Sequence, residues 1–247
     1  MTDERTRSLL LVLLGVTAAW LCLTDAALNY VRPSLVPYVL AGAVVLMLLG
    51  LLPPLGLLHR RSSGRGDGDG HGHGSTRVGR LLLVPVLVVV LVQPAALGSY
   101  AASSRAAVPG GSDGIFPPLA PPVRGAVPMI ITEFVMRALH DPSRSLEGVP
   151  VRLVGFVAPG EGEEAYRLTR FVIFCCAADA EALQVVVRGD GTRWRRDQWL
   201  EVEGRWLPRP VAGAEDTNPP PPVLIADVVH PIAQPRRPYE SSAEYGG

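Results

Sequence analysis

The chain has no lysine: all 23 basic residues are arginine, and they are balanced by 23 acidic ones. The resulting net charge of zero supplies no basic stripe, so nucleic-acid binding has no electrostatic footprint here. Cysteine is scarce as well, with three residues and no Cys-x-x-Cys spacing, which removes the usual signature of a thiol oxidoreductase. No Ser, His and acid grouping or paired carboxylate stands out for hydrolysis, and the expectation is a protein that is not an enzyme. Exclusive use of Arg, with abundant Ala, Gly and Pro, is the usage of a high-GC bacterial genome and says little about mechanism.

Charge is also missing from three long stretches, Ser8 to Thr24, Pro33 to Leu58 and Leu81 to Ser104. A helix needs about 20 apolar residues to cross the hydrocarbon core, so three membrane spans are expected within residues 1–104. A cleaved signal peptide is the alternative for the first stretch, but a second span following a very short loop favours a retained hairpin. Arg5 and Arg7 precede the first stretch, and Arg60, Arg61, Arg65, Arg77 and Arg80 separate the second from the third. The positive-inside rule then puts the N-terminus in the cytoplasm and the C-terminal half outside a multi-pass bacterial cell-membrane protein. Asp25, just past the first stretch, sits at the interface or faces a protein partner, with Asn29 and Tyr30 beside it.

Residues 105–127 are rich in Pro and Gly and form a semi-rigid tether. Beyond them, Ile130 to Leu139 carries helical spacing of apolar residues and ends before Pro142. Five β-branched and aromatic runs follow: Val149 to Val157, Tyr166 to Cys176, Leu183 to Arg188, Trp199 to Trp206 and Val223 to Val229. The expected fold is thus a membrane α-helical part followed by an all-β domain over residues 128–235. That domain is a small OB-like five-stranded barrel preceded by a short helix, with a β-sandwich as the alternative. Residues 236–247 read as a polar, disordered tail.

The unusual chemistry lies in Arg170-Phe171-Val172-Ile173-Phe174-Cys175-Cys176-Ala177-Ala178-Asp179-Ala180. Neighbouring side chains of a strand point to opposite faces, so the two sulfurs converge only if the chain bends there. With such a bend, Cys175, Cys176 and Asp179 make part of a site for zinc or another soft metal, or the two thiols close an adjacent disulfide. Zinc then needs further ligands, for which His140 and His230 are candidates in space but not by spacing. Without the bend, the cysteines are packing residues. Arg170 shares a face with Val172 and Phe174; it is either paired with an acid such as Asp179 or set to hold an anion. Cys22, in the first apolar stretch, takes a small apolar role. Between the second and third stretches, His71 and His73, with Asp67 and Asp69, offer a loose metal site on a Gly-rich loop that has no rigid scaffold.

Several strings, namely Leu81 to Pro85, Gln93 to Ser99 with Arg105, Gly155-Phe156-Val157, Arg170 to Ala180 and Asp197 to Gly204, resemble the YcgQ-type family of bacterial membrane proteins. The resemblance implies a permease subunit encoded beside a larger polytopic permease, and the role expected from it is that of a non-enzymatic accessory subunit in the lipid bilayer. The His71 and His73 loop is similar to more His-rich loops in that family, in reduced form. An accessory subunit with an external barrel, and an independent metal- or ligand-binding module built on the cysteine segment, are the two functions expected.

Overall fold

The computed structural model describes residues 2–52, 88, 95–107, 116–159, 166–189, 191, 193–208 and 219–241. The chain divides into two compact units, residues 1–95 and 96–247. His71, His73 and most of the third apolar stretch lie outside the described residues.

In the first unit, α1 (Thr2–Leu23) and α2 (Val36–Leu51) form an antiparallel hairpin joined by short 3-10 turns. Two glycines set their closeness. A Cβ on Gly15 would stand 2.6 Å from Met47 Cγ and 2.7 Å from the Ala43 carbonyl; one on Gly50 would stand 2.7 Å from Val12 Cγ2 and 2.8 Å from the Ser8 carbonyl. Small residues at a crossing let backbones approach, which is how apolar helices gain packing where lipid removes the hydrophobic driving force. Among the described residues one helix, Pro33–Leu51, is long and apolar enough to cross a membrane, against the three spans expected. The first stretch falls short because the apolar part of α1 is limited to Arg7–Leu23. Cys22 is half-buried, its thiol 4.0 Å from the Val36 carbonyl.

The second unit begins with residues that the sequence assigns to the end of the third stretch and the start of the tether. Here α3 (Ser99–Ser104) buries Ser99 and Ala102. It is followed by β1 (Val127–Pro128), α4 (Ile131–His140), β2 (Pro150–Pro159), β3 (Tyr166–Ile173), β4 (Glu181–Arg188), β5 (Trp199–Leu207), β6 (Val223–Pro231) and β7 (Tyr239–Ser241). These form one seven-stranded sheet rather than the five strands expected. The two extra strands, β1 and β7, are two and three residues long, too short to show a period of two. Moreover β7 occupies a segment read as disordered tail: Tyr239, Glu240 and Ser241 are buried, and β7 pairs in parallel with Phe171–Ile173.

Pairing is antiparallel between β2 and β3, β3 and β4, β2 and β5, and β5 and β6, and parallel between β4 and β6. Inside, α4 lays Ile131, Phe134 and Val135 against Leu153, Leu168 and Val185. A second apolar cluster on another part of the sheet joins Phe156, Phe171, Trp199 and Tyr239, with ring centroids 5.6–6.3 Å apart. Behind α4, the buried Arg137 guanidinium reaches Glu133 at 2.8 Å, Ser145 Oγ at 3.1 Å and the Pro117 carbonyl at 2.7 Å. A buried charge needs this many partners. Asp141 closes the loop after α4 by accepting from the N–H and hydroxyl groups of Ser143 and Ser145. Burial pushes its carboxyl up, but those bonds outweigh it and hold the pKa at about 2.

Gly155 lies where β2, already paired to β5, also comes alongside β3. A Cβ there would sit 2.8 Å from the Thr169 carbonyl and 3.0 Å from Ile131 Cδ1. Gly155→Ala should therefore cost about 1–3 kcal/mol, read as a fall of several degrees in Tm by circular dichroism. An unchanged Tm would mean that β2 and β3 part without strain.

Candidate metal centre

Strand β3 ends at Ile173, and the next six residues fold back on themselves. Ala177–Asp179 is a single 3-10 turn that starts from Cys176, whose own φ of −153° is extended. The chain is held in this shape by one carboxylate. Asp179 accepts from the backbone N–H of Phe174 at 3.0 Å, of Cys175 at 2.8 Å and of Cys176 at 3.3 Å. The turn is tied to the segment after α3 as well, because Arg105 donates to the Ala177 carbonyl at 2.7 Å.

The bend that sequence left conditional is present, and it brings the two sulfurs of adjacent residues to the same side. Cys175 Sγ lies 3.6 Å from Cys176 Sγ, and these two sulfurs and an Asp179 oxygen all lie within 4.8 Å of one another. Both thiols are free, and 3.6 Å is far beyond a disulfide bond of about 2.05 Å. Cys175 is exposed, Cys176 and Asp179 half-buried. Among the described residues, His140 at the end of α4 and His230 in β6 are not in this group.

Electrostatics of the group favour a protonated thiol. The hydrogen bond from Cys175 to the Asp179 carboxylate, followed by its contact with Cys176, pushes the Cys175 pKa up to about 12. Burial pushes Asp179 up, but the thiol of Cys175 and the three backbone donors together bring it below its usual value. A thiol so protected is a poor nucleophile at neutral pH, since reactivity belongs to the thiolate. A metal ion supplies the positive charge that would replace that proton.

Arg170 is placed elsewhere. Its guanidinium donates to the carbonyls of Pro238 at 3.1 Å, Val154 at 3.2 Å and Arg237 at 2.7 Å, and lies 5.0 Å from the Trp199 ring centroid. The acid on which its charge acts is Glu240, in place of the Asp179 suggested by sequence. Glu240 is buried and accepts from the N–H groups of Ile131 and Thr132 at 2.8 and 2.9 Å and from the Thr132 hydroxyl at 2.6 Å. It thereby satisfies the first donors of α4 from the far end of the domain. Burial raises its pKa in spite of these bonds and of Arg170. Arg170 and Glu240 border a cleft of about 590 Å³, together with Arg152, Glu201 and Arg237. Asp25, the other expected contact residue, precedes the 3-10 turn Ala26–Asn29 with a left-handed φ of 58°. Glu240 carried no sequence signal, because it stands in a polar tail more than a hundred residues from its partners.

The molecule is thus a protein with an apolar helical hairpin and a β-sheet domain that carries a pair of adjacent thiols, Cys175 exposed and Cys176 half-buried. Residues 133–240, from within α4 to the Glu240 strand, match the family model described as the DUF1980 C-terminal domain. No curated protein and no solved structure matches the chain.

If Asp179 is what keeps Cys175 protonated, Asp179→Asn lowers the Cys175 pKa toward its ordinary value. Alkylation of Cys175 by iodoacetamide at pH 8.5, followed by peptide mass spectrometry in a Cys22→Ser background, should run several-fold faster in the variant. Equal rates would remove the carboxylate from this account.

Proposed function

We propose that this chain is a membrane-anchored accessory subunit whose extracytoplasmic β domain binds a soft metal ion of the zinc class through Cys175 and Cys176. The observation that carries the metal reading is the convergence of two adjacent thiols beside a carboxylate on one tight turn. With metal–sulfur bonds of about 2.3 Å, sulfurs 3.6 Å apart subtend about 103° at the ion. That is close to a tetrahedral angle and far from the linear arrangement of a two-coordinate ion. Asp179 holds the loop in this shape whether or not it also ligates.

The sheet itself is read as a small five-stranded barrel of OB type. This is supported by pairings that lead from β2 through β3, β4, β6 and β5 back to β2. The membrane placement is supported by one sufficiently long apolar helix and by the distribution of arginines, with three spans and an external β domain as the full arrangement. The partner, a polytopic permease, is supported by the resemblance of the Arg170 to Ala180 string to permease subunits. A barrel that holds a metal ion suits a subunit that presents cargo at a permease mouth.

Purified full-length protein should retain bound zinc after desalting and lose it in the Cys175→Ser, Cys176→Ser double variant. Wild-type protein without zinc under these conditions would defeat the metal reading. Affinity purification from native membranes in mild detergent should recover a polytopic permease at near-equal abundance, and Asp25→Leu should reduce that recovery. Recovery of the chain alone would leave the metal-binding domain as an independent module.

A further inference from the structure

Resting on that reading of the cysteine pair, we infer that Cys175 and Cys176 form half of a four-sulfur site, completed by the same pair from a second copy of this chain. A closed tetrahedral zinc site takes four protein ligands. One chain offers two sulfurs at the right spacing, and among the described residues no histidine or third cysteine joins them. Cys22 belongs to the other compact unit. Asp179 receives the N–H groups of Phe174, Cys175 and Cys176 and anchors the turn, so in the shared site it positions the two sulfurs rather than ligating.

The missing ligands must approach from outside, and the surface permits it. Cys175 is exposed, and Phe174 beside it leaves 49% of its surface uncovered, an apolar side chain at the rim of a polar turn. A second copy meets the ligand requirement with no new donor: a two-fold axis through the ion places two pairs, each spanning about 103°, in one tetrahedron, and the exposed Phe174 beside each pair leaves apolar surface near the contact. Such isologous contacts are the commonest form of homo-oligomer. In forming the site each chain gives up two thiol protons to solvent, four per zinc ion, and four metal–sulfur bonds replace four S–H bonds with no change of oxidation state.

The test uses full-length protein carrying Cys22→Ser, so that the pair supplies every sulfur. In detergent it is titrated with zinc chloride while the protein mass is followed by light scattering, and the zinc edge is recorded by X-ray absorption. The expected result is one zinc per two chains, a zinc-dependent dimer reversed by chelator, and four sulfurs at about 2.3 Å; Cys175→Ser and Cys176→Ser should each abolish the zinc-dependent dimer. One zinc per chain in a monomer, with two sulfurs and lighter atoms around it, would overturn the shared site while leaving the metal reading intact. No bound zinc would overturn both.

Discussion

Backbone donors that no strand or helix can satisfy are the constraint around which this domain is organised, and carboxylates answer it repeatedly. Asp197 takes the N–H and hydroxyl of Ser99 at the start of α3, and Glu240 takes the first donors of α4. Asp141 takes those of Ser143 and Ser145 in the following loop, and Asp179 takes three in succession where β3 ends. An unpaired N–H away from water costs about as much as a lost hydrogen bond, so each of these acids decides a chain direction. At Asp179 the same device has a chemical by-product. Curling the chain around one carboxylate turns two neighbouring thiols to one side, a geometry that an extended strand forbids.

What could be read from the sequence was whatever is local. Helix α4 and the five longer strands announce themselves through period and composition, and the bent segment through its Cys-Cys-Ala-Ala-Asp string. The elements that escaped notice are held by distant residues. Strand β7 has three residues and depends on Phe171–Ile173 for its partner; α3 has six and depends on Asp197, nearly a hundred residues later. Arg170 is instructive in the same way. Proximity in sequence suggested Asp179, whereas the fold surrounds the guanidinium with carbonyls of residues 237 and 238, Trp199 and the field of Glu240. The metal-binding candidates were legible as residue types, but their convergence rests on torsions that residue spacing does not encode.

The two units solve the packing problem under different rules. In the β domain, large side chains fill the interior and glycine appears where a second strand presses close, as at Gly155 against Thr169. In the hairpin of α1 and α2, the contact surface is made small by Gly15, Ala43 and Gly50, and the large apolar residues, such as Leu9, Trp20, Tyr38 and Leu48, face outward. Small residues at the crossing with large apolar ones outside also suit the membrane placement proposed above. The hairpin thus presents apolar surface, while the β domain carries the two adjacent thiols, Cys175 exposed and Cys176 half-buried.

The bond between Glu240 and the start of α4 has a consequence for how the domain comes into being. A chain is made from its N-terminus, at about 5–20 residues per second. Helix α4 therefore leaves the ribosome well before the residue that caps it, and the strand that carries the cap must still find the edge of β3. Until then the helix has loose ends, and Phe171 lacks the Tyr239 ring against which it packs. The domain is finished by its last few residues, so a nascent chain stalled shortly before residue 239 holds a sheet with an open edge next to the two cysteines.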